Sequence, residues 1–340
     1  MTFRVALTTA CFAVAASTAS AALSGNPIIK GAADPFATVF NNRLYVYPTT
    51  GGGVFRAYST DDLGAWQSNG TILNLANVSW ANGSTNAWAP CMVQRNGTYY
   101  FYYSVGGSTS RIGVATGSSP TGPFTDSGKP LLTDTTGGLA ANTFEAIDPE
   151  VFQDPVSGKT YLYAGGSRGS KLRVFELDST LTGLSREVTV ATPVKFTEGA
   201  FMHYRDGRYY LSYSNGSYAD DTYSVHYSVG DSPTGPFSYG GKILGSNGED
   251  KGPGHHSFVE IGDTNYILYH RWENQTGSGP YNTNGRSRDT AIDTFTYGPG
   301  GVINPITMTN SGVATVSIPE PSLLALAAVG VPLLKRRRLA

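Results

Sequence analysis

Three carboxylates occupy comparable places in the sequence. Asp34 lies in Gly31-Ala32-Ala33-Asp34-Pro35, eleven residues before Tyr45. Asp148 lies in Glu145-Ala146-Ile147-Asp148-Pro149, thirteen before Tyr161, and Glu198 lies in Thr197-Glu198-Gly199-Ala200, eleven before Tyr209. Any one of them has a plain structural explanation, because Asp-Pro initiates turns and Glu-Gly suits a solvated loop. Three at matched phase, in a chain where only 14% of residues carry charge, point instead to catalysis. Carboxylates brought together perturb one another's ionisation, which is the condition for acid–base chemistry.

The elements that must position them are strands. A polar turn followed by a tyrosine-rich strand recurs at Asn42–Tyr47, Gly97–Ser104, Gly158–Tyr163, Gly207–Ser214 and Asn265–His270. With Tyr45, Tyr99, Tyr161, Tyr209 and Tyr266 as markers, the intervals are 54, 62, 48 and 57 residues. A second phrase, Ser-Pro-Thr-Gly-Pro-Phe, stands at 119–124 and again at 232–237, with a looser copy at Asp61–Trp66. Its Pro and Gly make tight turns where edge strands must be interrupted. About 55 residues suits four short antiparallel strands, and radial closure of such sheets removes their open edges. The expected fold is therefore all-β, a five-bladed β-propeller; a β-sandwich would not repeat one phrase five times. In a propeller the innermost strands meet at a central channel, so residues just before the tyrosine-rich strands converge.

Composition agrees. With 42 Gly, 21 Tyr and 15 Phe, long charged helices and coiled coils are excluded. A net charge of −1 supplies no basic surface for nucleic acid. No low-complexity linker divides residues 22–318, which read as one domain.

The two ends read as removable. Residues 1–21 combine Arg4, an apolar stretch from Val5 to Ala16 and Ala19-Ser20-Ala21, the layout of a secretory signal peptide. Residues 319–340 hold Pro319-Glu320-Pro321, an apolar run from Ser322 to Leu334 and the cluster Lys335-Arg336-Arg337-Arg338. The apolar run is short against the roughly 20 residues of a membrane span. This tail resembles the PEP-CTERM sorting signal of exopolysaccharide-producing Gram-negative bacteria. The resemblance implies export, processing by an exosortase-type machinery, membrane contact only in passing through the tail, and a final place at the cell surface or in the extracellular matrix. Without both ends the body holds 19 basic and 24 acidic residues and one cysteine, Cys91, so no internal disulfide forms. Cys91 itself reads as a small buried hydrophobe.

The ordered motifs Ala33-Asp34-Pro35, Trp88-Ala89-Pro90, Ile147-Asp148-Pro149, Glu198-Gly199 and Gly252-Pro253-Gly254-His255 resemble glycoside hydrolase family 43 over about residues 25–316. The resemblance implies hydrolysis with inversion, with Asp34 as general base, Glu198 as general acid and Asp148 as the carboxylate that tunes and orients the acid. Inversion needs base and acid on opposite faces of the sugar with room for a water between them. The same resemblance has Arg288 hold the pKa-tuning carboxylate, with Arg286 close enough in sequence to be confused with it. It also places a calcium ion with several waters beside His255, as support and not as a requirement of the chemistry. One imidazole is a poor ligand for a hard cation, and His255 or His256 bonding within the core is the competing reading. Trp88 and Phe36 are candidates to line the sugar pocket, each with a core role as the alternative, and His270 reads as a supporting residue. The loops 74–85, 216–222, 246–251 and 274–285 are the expected pocket walls.

The expected function is an exported inverting glycosidase on plant or algal polysaccharides, an α-L-arabinofuranosidase or β-D-xylosidase. The alternative is a non-catalytic carbohydrate-binding propeller displayed in the matrix, which loss of one of the three carboxylates would mark.

Overall fold

The structure, a computed structural model, describes residues 22–140, 142–283 and 287–318. The expected signal peptide, the sorting tail from Pro319 and Arg286 lie outside the described residues. Five antiparallel sheets follow one another along the chain. Blade I holds β1 (Ala33–Phe40), β2 (Arg43–Thr49), β3 (Val54–Thr60) and β4 (Gln67–Asn74). Blade II holds β5 (Ala87–Arg95), β6 (Thr98–Val105) and β7 (Arg111–Gly117), with the two-residue strands β8 (Thr125–Asp126) and β9 (Leu132–Thr133) both pairing β7. Blade III holds β10 (Glu150–Gln153), β11 (Thr160–Ala164), β12 (Arg173–Leu177) and β13 (Leu184–Val188). Blade IV holds β14 (Glu198–Arg205), β15 (Arg208–Asn215), β16 (Ser224–Gly230) and β17 (Ser238–Leu244). Blade V holds β18 (Lys251–Ile261), β19 (Thr264–Trp272) and β20 (Asp289–Phe295). The five-bladed propeller is thus the observed fold, and no described helix is long and apolar enough to cross a membrane.

One detail departs from the repeat. Blade V has three strands among the described residues, not four, and the segment before blade I pairs with the last of them. Ile29 bridges Thr290 in β20, and Leu23 bridges Ala314. The segment before blade I thereby covers an edge that would otherwise stay open.

The tyrosine-rich phrase is the second strand of every blade. Those strands are buried on both faces, whereas outer strands such as β13 are largely exposed. Five apolar clusters fill the spaces between successive blades, one for each interface. Tyrosine suits this wedge because its ring fills apolar space while its hydroxyl reaches a polar partner. Tyr47 donates to the Pro120 carbonyl of the next blade's turn, Tyr102 to Leu181 and Tyr163 to Pro233. The Ser-Pro-Thr-Gly-Pro turns are therefore docking points between blades as well as edge breakers.

Candidate active site

All five blades begin with the same backbone irregularity. Asp34, Ala89, Asp148, Gly199 and His255 have φ of 48°, 37°, 58°, 61° and 41°. In four of the five blades the register slips at this point, between Ala33 and Phe36, Trp88 and Cys91, Glu198 and Phe201, and Gly254 and Ser257. A bulge re-aims side chains, and positive φ in residues other than glycine is held only where surroundings enforce it. Here the enforcement is a hydrogen bond from the bulge N–H to the preceding blade's second strand. Ala89 N–H donates to Thr49 Oγ1 at 2.7 Å, Asp148 N–H to Ser104 Oγ at 2.9 Å and His255 N–H to Ser214 Oγ at 2.8 Å. Asp34 N–H closes the ring on His270 Nδ1 at 3.1 Å. Each acceptor lies opposite the residue that precedes a bulge in its own blade. Blade III has Gly165 opposite Ile147 and so offers no side chain. The Gly199 N–H is consequently free to donate to Asp148 Oδ2 at 3.1 Å, tying one carboxylate to the backbone next to another.

These bulges bring the three carboxylates to one cavity of about 230 Å³. Asp34, Asp148 and Glu198 line it together with Trp88, His255 and Arg288, and the wall is completed by Glu145, Ile147, Ser167 and Tyr218. The volume falls below the usual 300–1,000 Å³ of drug-sized sites and suits a single sugar ring. The three carboxylates are only 6–7% exposed, so their ionisation is governed by neighbours more than by water.

Those neighbours drive the groups apart. Burial alone would raise the Asp34 pKa, but chiefly the Arg288 guanidinium overcomes it and holds the carboxyl well below its ordinary value, while burial lowers the neighbouring His255 and His270 and keeps them neutral. Arg288 Nη1 donates to Asp34 Oδ1 at 2.7 Å, and His255 and His270 Nδ1 lie 3.6 Å and 3.1 Å from the same oxygen. Burial also dominates at Glu198 and pushes it up to about 7, helped by the Asp34 charge and opposed by a hydrogen bond from Tyr223. Asp148 moves well up as well, through burial and then the charges of Glu198, Asp34 and Glu145. Two carboxylates in one dry site do not both ionise, so Asp148 and Glu198 titrate as a pair that keeps a proton toward neutrality. The cavity therefore presents an ionised carboxylate and a protonated one together, the two states that acid–base hydrolysis of an acetal requires.

Most of the residues singled out from sequence meet here, with three differences. Arg288 pairs with Asp34 rather than with Asp148, because the start of β20 borders the first blade in the closed ring. Phe36 is absent from the cavity wall; its ring packs against three of the five interface clusters, filling the channel that β1 faces. Among the described residues of the four loops expected as walls, only those of 216–222 contribute, through Tyr218, whose ring lies 4.9 Å from the Arg288 guanidinium. Trp88 does line the cavity, its indole crossing Gly106, where a Cβ would sit 2.0 Å from the ring. Cys91 is fully buried beside Glu150, in keeping with a structural thiol.

Sequence reasoning missed Glu145, Ser167, Tyr218 and Tyr223. Glu145 stands three residues before Asp148, and Arg168 anchors it by Nη2 at 2.9 Å and by its backbone N–H at 3.1 Å. Its proximity to the Asp148 motif was the available signal; Tyr218 was marked only through its loop, 216–222, and Tyr223 gave no signal among so many tyrosines.

The residues around His255 do not fit a directly ligated cation. Its Nδ1 lies 3.6 Å from both Asp34 and Asp148, whose oxygens already engage Arg288 and the Gly199 N–H. Among the described residues no group of three or more His, Cys, Asp or Glu is arranged to hold a metal. Calcium prefers six to eight oxygen ligands, more than these side chains offer.

A propeller whose channel mouth gathers opposed carboxylate states in a sugar-sized cavity defines a glycosidase-type site. The chain belongs to Glycosyl hydrolases family 43, which matches residues 24–303. It is 37% identical over 320 residues to a beta-D-galactofuranosidase of Aspergillus niger, covering 88% of this chain and 89% of that protein. It is 30% identical to xylosidase/arabinosidase 43A of Humicola insolens, over 72% of this chain and 89% of that protein. A solved alpha-L-arabinofuranosidase from Clostridium thermocellum superposes with a TM-score of 0.68 and 33% identity, covering 83% of this chain and 95% of that one. The protein is accordingly a glycoside hydrolase acting on O-glycosidic bonds.

Proposed function

We propose that the protein is an inverting exo-glycosidase that releases single α-L-arabinofuranosyl units from polysaccharide side chains. The observation that carries this reading is the pairing, in one cavity of about 230 Å³, of Asp34 held ionised by Arg288 with Glu198 held protonated near neutral pH. Asp34 accepts a proton from water as that water attacks the anomeric carbon. Glu198 gives its proton to the departing oxygen as the glycosidic bond breaks, and Asp148 disfavours early ionisation of Glu198. Trp88 offers an apolar face to the ring. The furanoside preference rests on relatives: one of the proteins above is named an alpha-L-arabinofuranosidase, one a xylosidase/arabinosidase and one a beta-D-galactofuranosidase. β-D-Galactofuranose has the ring configuration of α-L-arabinofuranose with one more carbon outside the ring, so one pocket serves both. β-D-Xyloside cleavage is the second reading, favoured by a solved family-43 relative in complex with xylotriose.

The sequence features of the two ends support an exported enzyme at the cell surface or in the matrix, with any calcium beside His255 held mainly through water. The test of function is release of nitrophenol from the α-L-arabinofuranoside, β-D-galactofuranoside and β-D-xyloside, with proton NMR of the first sugar formed. Arabinose of inverted configuration supports the reading; retained configuration, or xyloside turnover alone, overturns it. Binding of arabinan or xylan without release from any substrate would favour a carbohydrate-binding propeller.

A further inference from the structure

Tyr223, at the entry to β16, has no role in the reading so far, yet its side chain is fully buried within hydrogen-bond reach of the acid. Its hydroxyl donates to Glu198 Oε1 at 2.8 Å. Its ring stacks on His270, with centroids 5.5 Å apart and planes 8° from parallel. It also presses on Gly254, where a Cβ would stand 2.2 Å from ring atom Cε1. Glycine at 254 is therefore a requirement of the tyrosine and not only of the turn. The phenol is clamped, and the direction of its O–H is set by packing.

We infer that Tyr223 is a positioning residue for the acid: by donating to Glu198 Oε1 it confines the transferable proton to Oε2. This rests on Glu198 being the general acid. A neutral carboxyl has one hydroxyl and one carbonyl oxygen, and the oxygen that accepts the phenol's hydrogen bond serves as the carbonyl. When the glycosidic bond breaks, its electron pair stays on the leaving oxygen, and the Oε2 proton moves to that oxygen. Glu198 is left as a carboxylate whose Oε1 still accepts from Tyr223. That hydrogen bond is stronger to the anion than to the acid, so it helps most as charge develops. Burial keeps the phenol itself protonated. The other charged groups acting on Glu198 are Asp34, Asp148 and Glu145, which raise its pKa or are raised by it, and Arg288, which lowers it. Tyr223 acts in the same direction as Arg288 but by contact.

The test is Tyr223→Phe in the full chain, which keeps the ring and removes the donor. The alkaline limb of kcat/KM should move to higher pH. Turnover of an alkyl or oligosaccharide arabinofuranoside, which needs protonation of its leaving group, should fall by about 10²-fold. Loss on the 2,4-dinitrophenyl glycoside, which leaves without a proton, should be much smaller. Fluorotyrosine at 223, a stronger donor of the same shape, should move the limb the opposite way and covers the case in which the Phe variant does not fold. A limb that stays at its wild-type pH in both variants, or equal losses on the two classes of leaving group, overturns the inference. Glu198→Gln separates the two levels: if it retains turnover the acid assignment itself fails, whereas a dead Glu198→Gln beside an unshifted Tyr223→Phe removes only the role of Tyr223.

Discussion

Asp34 and Glu198 are both buried carboxyls, and what separates their ionisation is the company each keeps. Arg288 donates directly to Asp34, while Glu198 faces the negative charge of Asp34 across the site. Asp34→Asn and Glu198→Gln should each lower turnover by about 10²–10⁴-fold while arabinose still binds, as kinetics and calorimetry would show. The pH profile follows from the same shifts. The acid works protonated, so activity is lost as pH rises through about 7. The base works ionised, and its pKa is depressed, so activity persists until pH falls below the ordinary aspartate value of 3.8. Arg288→Gln should move the acidic limb of kcat/KM up by about 1–3 pH units, since burial then acts on Asp34 with less opposition. The alkaline limb should also rise, because Arg288 lowers Glu198 as well.

Strands place these side chains through one device used five times. The bulge at the head of each innermost strand has positive φ, and four of the five are held by a side chain on the second strand of the preceding blade. Ser104→Ala removes the acceptor of the buried Asp148 N–H. That should cost about 1–3 kcal/mol of stability in denaturant unfolding and lower kcat more than it raises KM, since Asp148 is loosened rather than removed. Gly165 breaks the pattern, and a Cβ there would meet the Lys171 carbonyl at 2.0 Å. The missing side chain leaves the Gly199 N–H to Asp148, so the exception in the repeat falls where the carboxylates meet.

Across the whole molecule, five interface clusters depend on a closed ring, and the segment before blade I pins the seam where blade V meets blade I. The Asn26 side chain donates to the Ile292 and Thr309 carbonyls and accepts from the Ile292 N–H, each at 2.9 Å. Asn26→Ala should therefore cost about 3 kcal/mol, at roughly 1 kcal/mol for each hydrogen bond, measurable as a lower denaturation midpoint. Opening this seam would expose the cluster between blades V and I and separate Asp34 from His270 and Arg288. Stability and base ionisation should then fail together on titration with denaturant.

The five blades were legible because strand, turn and interface chemistry repeat locally: a tyrosine must be followed by its strand, and a Pro-Gly turn by its edge. The three carboxylates were legible for the same reason, as acids at one phase of a repeat. What the linear order does not contain is which neighbours a closed ring provides. Arg288 reaches Asp34 from 254 positions away because the last blade borders the first. Phe36 turns into the channel and not the pocket because a bulge separates it from Asp34. Tyr223 is one tyrosine among 21 until packing lays it on His270 and aims its hydroxyl at Glu198. Residue types and their period determined the fold and marked the candidate carboxylates; closure of the ring decided which neighbours set their charge.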